Sequence, residues 1–257
     1  MSYTEPSFDT DFLIEVKKGN IPGHSLVHKF GRNAAVPNGS WQFVNLWGFT
    51  AWPLNSLAAV KISAGGNVND TALGTGAREI TIQGIGSALT EITSVKATAG
   101  SGGATFPDSF WRVHRAWVSS VGTYGGGNIG NVVMKHDSAA INLIQIAAGE
   151  GQSQFTAFTI PTGKNGYLLS VDVTVNSGKA ADIKLMTRED MNVTSGVLMK
   201  SVRLKKQWDG VIGAMPSYKP RAPDVKMQPL TDVWIEARGS GATTKVSANM
   251  EILLVDV

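Results

Sequence analysis

Polar, glycine-marked loops alternate with short runs of period-two hydrophobicity, and this rhythm constrains the chain more than any other feature. Residues 69–84 show it most clearly: Asn-Asp-Thr-Ala-Leu-Gly-Thr-Gly-Ala leads into Arg78-Glu79-Ile80-Thr81-Ile82-Gln83. Small polar residues and glycines suit a loop. The alternation that follows puts Ile80 and Ile82 on one face of a strand and Glu79, Thr81 and Gln83 on the other.

The rhythm continues in two blocks. In the first, residues 40–49, 57–63, 77–84, 88–97, 109–118, 129–135 and 141–147 read as strands. Apolar side chains on both parities of 109–118 predict a strand covered on both faces. Gly149-Glu150-Gly151 marks the boundary. In the second block, residues 155–160, 167–176, 181–189, 197–206, 233–238 and 245–255 alternate. Leu169, Val171, Val173 and Val175 fall in one row, Ile183, Leu185 and Thr187 in another, and Val246, Ala248, Met250, Ile252 and Leu254 in a third. Asn165-Gly166 predicts a hairpin turn. Pro216, Pro220, Pro223 and Pro229 predict a long unpaired loop over 207–230. No segment predicts a helix; residues 11–16 fit a strand or a helical turn.

The expected fold is therefore all-β: two antiparallel, jelly-roll-like β-sandwich domains, residues 37–150 and 151–257, preceded by an extended N-terminal arm over 1–36. The arm carries apolar residues without a pattern of its own, so it is expected to pack on this domain or dock on a neighbouring subunit. Ile21, His24, His28, Phe30 and Arg32 are its candidate docking residues.

Composition excludes several classes. The 257-residue chain has no cysteine, which rules out disulfides and thiolate metal sites and is compatible with a reducing cytoplasm. A net charge of +3 is mild, and Arg203-Leu204-Lys205-Lys206 reads as a solvated strand end, so no nucleic-acid partner is expected. No run reaches the ~18 apolar residues of a membrane helix, and residues 1–10 lack the order of a secretion signal.

Catalytic patterns are missing too. His24 and His28 stand four apart, which on a helix could hold a metal, but Pro22 and Gly23 precede them and no acidic ligand is near. His114 beside Arg112 and Arg115 reads as a structural histidine. No Gly-X-Ser-X-Gly elbow occurs, and the glycines of 125–130 lack the Gly-Lys-Ser/Thr ending of a phosphate loop. No enzyme activity, cofactor or metal is expected. The seven tryptophans are expected mostly in the core, except Trp208. With Asp209 and Tyr218 it forms a candidate interface or glycan contact.

In order along the chain, several segments resemble a widespread family of tailed-bacteriophage virion structural proteins, common in phages of marine bacteria. They are His28-Lys29-Phe30-Gly31-Arg32-Asn33, residues 69–78, Phe110-Trp111-Arg112-Val113, Ile146-Ala147-Ala148-Gly149-Glu150-Gly151-Gln152 and Tyr167-Leu168-Leu169. The resemblance spans roughly residues 20–176, and it departs where Ala34-Ala35 replaces the Pro-Asp that often follows Arg-Asn. It implies a non-enzymatic subunit of a tail fibre, tail appendage or capsid decoration, assembled in the host bacterial cytoplasm. Its expected partners are copies of itself, in a trimer, and other virion proteins. The alternative is a receptor- or glycan-binding module of the virion that contacts a host surface glycan.

Overall fold

The computed structural model describes residues 11–46, 56–63, 67–138, 141–192, 202–220, 226–241 and 243–257. Within them the protein is built almost wholly from antiparallel strands, in agreement with the all-β sandwich expectation. One sheet has the order β1 (His24–Val36), β15 (Thr244–Asp256), β10 (Lys164–Val175), β13 (Lys226–Met227). A second has the order β12 (Arg203–Val211), β11 (Ala181–Arg188), β14 (Asp232–Gly239), β2 (Gln42–Phe43), with β9 (Ala157–Thr159) also paired to β14. The third is six-stranded: β5 (Glu91–Ala97), β4 (Ala77–Gly86), β6 (Ala104–Val121), β3 (Ala58–Ile62), β7 (Val132–His136), β8 (Asn142–Ile146).

The second sheet is the middle layer. Successive side chains of a strand point to opposite faces, and β14 uses both. Val233, Ile235 and Ala237 join Val171, Val173, Val246, Ala248, Met250 and Ile252 in the core beneath the first sheet. Trp234 points the other way, into a core with Ile80, Ile82, Phe110, Val113, Met134 and Ile146 of the six-stranded sheet. Two sandwich cores are present, and they share a sheet.

This sharing bears on the expected domains. The strands of the six-stranded sheet all fall within residues 58–146. The N-terminal segment, however, belongs to the C-terminal half. Residues 24–36 do not extend away from the body but form a 13-residue edge strand, in register with β15 from His24–Val255 to Asn33–Val246. The inward parity of β1 is Val27, Lys29, Gly31 and Asn33, of which the last three are buried. Their polar character hides the alternation. Gly31 is required by a close approach: a Cβ there would lie 2.1 Å from the Val44 carbonyl oxygen.

Other expectations are corrected locally. Residues Phe12–Lys18 form a helix, α1, so of the two readings of residues 11–16 the helical turn holds and the strand does not. Asp11 caps it by accepting the Leu13 N–H at 2.8 Å, and Gly19 closes it at φ +81°. Asn165-Gly166 is not a turn but lies inside β10; the turn falls at Thr162-Gly163. A bulge between Leu168 and Ser170 shifts the inward row, so Leu168 is buried and Leu169 is half-exposed. The loop expected over 207–230 begins later, because β12 runs to Val211 and pairs with β11. Of the described tryptophans only Trp234 is buried; Trp41, Trp111, Trp117 and Trp208 are half-buried. Strand expectations over residues 47–49 and 197–201, part of the proline loop (221–225) and arm residues 1–10 lie outside the described residues.

Candidate subunit face and polar cleft

The candidate docking residues are sorted by the pleat of β1. His24, His28, Phe30 and Arg32 share its outward parity with Leu26. His28 and Phe30 are exposed, and His24 and Arg32 are half-buried. Ile21 precedes the strand in the turn from α1 and is half-buried. His24 accounts for itself locally: its Nδ1 is 2.9 Å from the Pro22 carbonyl oxygen, and its ring meets Phe12 edge-on at 5.9 Å. On a strand the two histidines are ~13 Å apart at ~3.3 Å per residue, too far to share an ion. Among the described residues no group of three His, Asp or Glu is placed to hold a metal.

Helix α1 lies over this outward row and leaves a groove of about 300 Å³ lined by Leu13, Ile14, Leu26, Val27 and Leu169, with Lys17, His28 and Glu251 at its edges. Phe12 is 42% and Ile14 51% exposed beside it. The bulge at Leu168–Ser170 is what turns Leu169 toward the groove. Sequence reasoning found the strand residues but not Leu169 or the helix.

Behind the inward face of β1 lies a polar cleft of about 650 Å³. Lys29 crosses into it and donates to the His114 carbonyl oxygen. Lys29 and His114 are both buried. Arg115 donates from Nη2 to the His28 carbonyl oxygen at 2.7 Å, tying β6 to the edge strand. The His114 ring packs on Phe158 with centroids 4.8 Å apart, and its Nε2 has no hydrogen-bond partner; Glu91 Oε1 is 3.9 Å away.

Burial dominates the electrostatics here. It lowers the Lys29 ammonium to about 7, with the Arg115 charge adding to the fall and Glu91 opposing it. Burial, followed by the charges of Lys29, Arg115 and Arg112, holds the His114 imidazole well below its ordinary value. The Glu91 carboxyl is raised, again by burial first, against the pull of Lys29, Arg115 and Lys164.

The second candidate group is only partly assembled. Trp208 and Tyr218 meet edge-on, centroids 5.3 Å apart and planes at 77°, with Lys206 Nζ 5.7 Å from the Tyr218 ring. Both aromatics also pack on the core beneath the first sheet. Asp209 is exposed and accepts from Gln207 Nε2 at 2.6 Å, while the neighbouring Gly210 N–H goes to Asp182. The basic cluster Arg203, Lys205 and Lys206 is exposed on β12, as a solvated strand end should be.

No protein-family model matches the chain, and no curated protein matches it. Among solved structures, it is similar to the infectious bursal disease virus Gx strain structure at 9% identity and a TM-score of 0.26, covering 91% of this chain and 72% of that one. The VP2 subviral particle of the same virus matches at 9% identity and a TM-score of 0.22, over 96% and 78%. Backbones that agree so loosely establish no shared fold, and the functional reading below rests on this chain's own residues.

Proposed function

We propose that this chain is a non-enzymatic structural subunit of a bacteriophage virion. In this reading it assembles with copies of itself, in a trimer, and with other virion proteins as a tail fibre, tail appendage or capsid decoration. The observation that carries the proposal is the α1–β1 face. An apolar groove lies between helix α1, with its exposed Phe12 and Ile14, and the edge strand β1, whose exposed Phe30 belongs to the segment 28–33 that opens the resemblance to phage virion proteins. Edge strands and exposed apolar patches are where subunits join. The interior supports a load-bound role: buried ion pairs and carboxylate-to-backbone bonds tie loops and layers to one another.

The test is the mass in solution of the full chain and of an Ile14→Ser/Phe30→Ser double variant. The expected result is a closed oligomer of the 27.2 kDa chain that the double variant converts to monomer without changing its circular dichroism. A monomeric parent chain that the substitutions leave unaltered contradicts assembly through this face.

The Trp208–Tyr218 pair favours a second reading, a glycan-binding module, because half-buried aromatic rings with Lys206 over Tyr218 suit stacking on a sugar. That reading expects saturable binding to host envelope polysaccharide, weakened by Trp208→Ala. A glycan array on which the chain binds nothing would remove it.

A further inference from the structure

We propose that the cleft behind β1 is an oxyanion-binding site, one that takes a phosphate, sulfate or carboxylate group carried free or on a small sugar. The inference does not depend on the assembly reading, although the cleft borders that groove: Lys17, Leu26, Val27 and His28 line both.

The charged and titratable side chains of the cleft come from five elements. Lys17 comes from α1, His28 and Lys29 from β1, Glu91 from β5, His114 and Arg115 from β6, and Lys164 from β10. Its lining carries four cationic side chains against the one carboxylate of Glu91. Lys164 is also paired with Asp256 on β15, which leaves the rest of the lining positive. Positive charges gathered in a recess raise the local concentration of anions.

The donors are in place as well as the charge. A lysine ammonium has three N–H donors and an arginine guanidinium five. Lys29 gives one to the His114 carbonyl and Arg115 one to that of His28, so both keep donors for a ligand. His114 Nε2 is 1% exposed with its residue, lacks a partner and belongs to the cleft lining. A buried polar atom left unmatched is costly, and an anion oxygen accepting from an Nε2–H would relieve it. The volume of about 650 Å³ exceeds what one oxyanion fills and lies in the range of small-molecule sites, so the group that carries the charge has room.

Lys29 also sets a signature that simple surface attraction lacks. With its ammonium near 7, much of the amine is neutral at pH 8, and an arriving anion draws the proton back. Binding therefore takes up a proton, and affinity falls as pH rises past 7. The groups facing this amine are Arg115 and His114 from β6, Glu91 from β5, Lys17 from α1 and Lys164 from β10, with His28 on its own strand. Of these, Glu91 is the one whose ionisation works against the anion.

Titration calorimetry on the full chain decides the matter, with inorganic phosphate, sulfate, acetate, glucose 6-phosphate and glucuronic acid as probes and glucose as the neutral control. Two buffers of different ionisation enthalpy report the proton uptake. Saturable binding of at least one anion is expected, about tenfold or more weaker near pH 8.5 than near pH 6.5. Tighter binding of the sugar-borne anions than of their inorganic counterparts would identify the carrier as part of the ligand, and the reverse order would identify the free ion. Lys29→Met should abolish the proton uptake and Arg115→Gln should weaken binding about tenfold. Arg115 is exposed, so its variant keeps the test valid if Lys29→Met fails to fold. No heat from any anion at about 20 mM, or binding that Arg115→Gln leaves unchanged, overturns the proposal.

Discussion

Arg112 and Asp232 lie 120 positions apart and meet as a two-point ion pair with no solvent exposure on either side chain. Arg112 Nε donates to Oδ1 at 3.1 Å and Nη2 to Oδ2 at 2.9 Å. The carboxylate also accepts from Thr159 Oγ1 at 2.7 Å and Arg188 Nη2 at 3.2 Å. The pair joins β6 of the six-stranded sheet to β14 of the middle sheet, and Arg188 brings in β11. It is a bolt between layers otherwise held by apolar packing.

Removing one partner of such a pair leaves an uncompensated buried charge. Arg112→Met should therefore destabilise the chain by ~3–5 kcal/mol. Arg188→Gln should cost distinctly less, because Arg188 makes one longer contact and retains some exposure. Urea unfolding of the two variants, read by tryptophan fluorescence, checks the order; equal losses would contradict it.

Lys29 and His114 give stability a direction with pH. Between about 7 and 10.5 the unfolded lysine holds a proton that the folded one has lost. Unfolding then takes up a proton, and stability rises with pH at up to ~1.4 kcal/mol per unit. The His114 imidazole, held below 6.5, acts in the same sense on the acid side, where stability falls as pH drops through the unfolded value. Chemical unfolding from pH 7 to 9 should show the alkaline rise, and Lys29→Met should flatten it. A slope unchanged in the variant would mean that Lys29 stays charged.

The segment at 69–78 is a lock between loops. Asp70 is buried and accepts the N–H groups of Ala77 and Ile129 on Oδ1, at 2.8 and 3.0 Å, and of Gly130 on Oδ2 at 2.8 Å. Gly76 admits that carboxylate, since a Cβ there would stand 2.1 Å from Asp70 Oδ1. Asp70→Ala strands three backbone donors at ~1–3 kcal/mol each if they stay dry. Both Asp70→Ala and Gly76→Ala should lower the melting temperature sharply, whereas Leu73→Ala in the same loop, 92% exposed, should not.

Truncation separates the helix from the strand. A chain lacking residues 1–20 should keep the three sheets and lose the apolar groove. One lacking residues 1–36 should not fold, because β15 loses one of its two neighbours and the core loses Val36 and the cover of Val27. Amide exchange of β15 measures both; protection that survives the longer deletion would contradict the role given to β1.

How much of this was legible depended on whether burial followed apolarity. The rows Val246 to Leu254 and Ile183 to Thr187 were readable because their buried parity is largely hydrophobic and unbroken. Strand β1 was not, since Lys29, Gly31 and Asn33 occupy its buried face for hydrogen bonds and close approach. Leu169 was assigned to the wrong side because one bulge reverses a period of two, and no local residue marks it. Helix α1 is short, with exposed Phe12 and Ile14, so its period carried little signal beyond the Asp11 cap. The docking row His24, His28, Phe30 and Arg32 was read from an arm without a hydrophobic pattern of its own; the cleft beside it needed residues 29, 91, 114 and 164, which only the fold brings together.

The central claim is that this chain is a structural part of a virion, and quantitative mass spectrometry of purified phage particles tests it most directly. The account predicts that the intact chain is present in many copies per particle, in fixed ratio to the coat and tail proteins and resistant to salt washing. Its absence from particles made by a virus that encodes and expresses it would contradict the account.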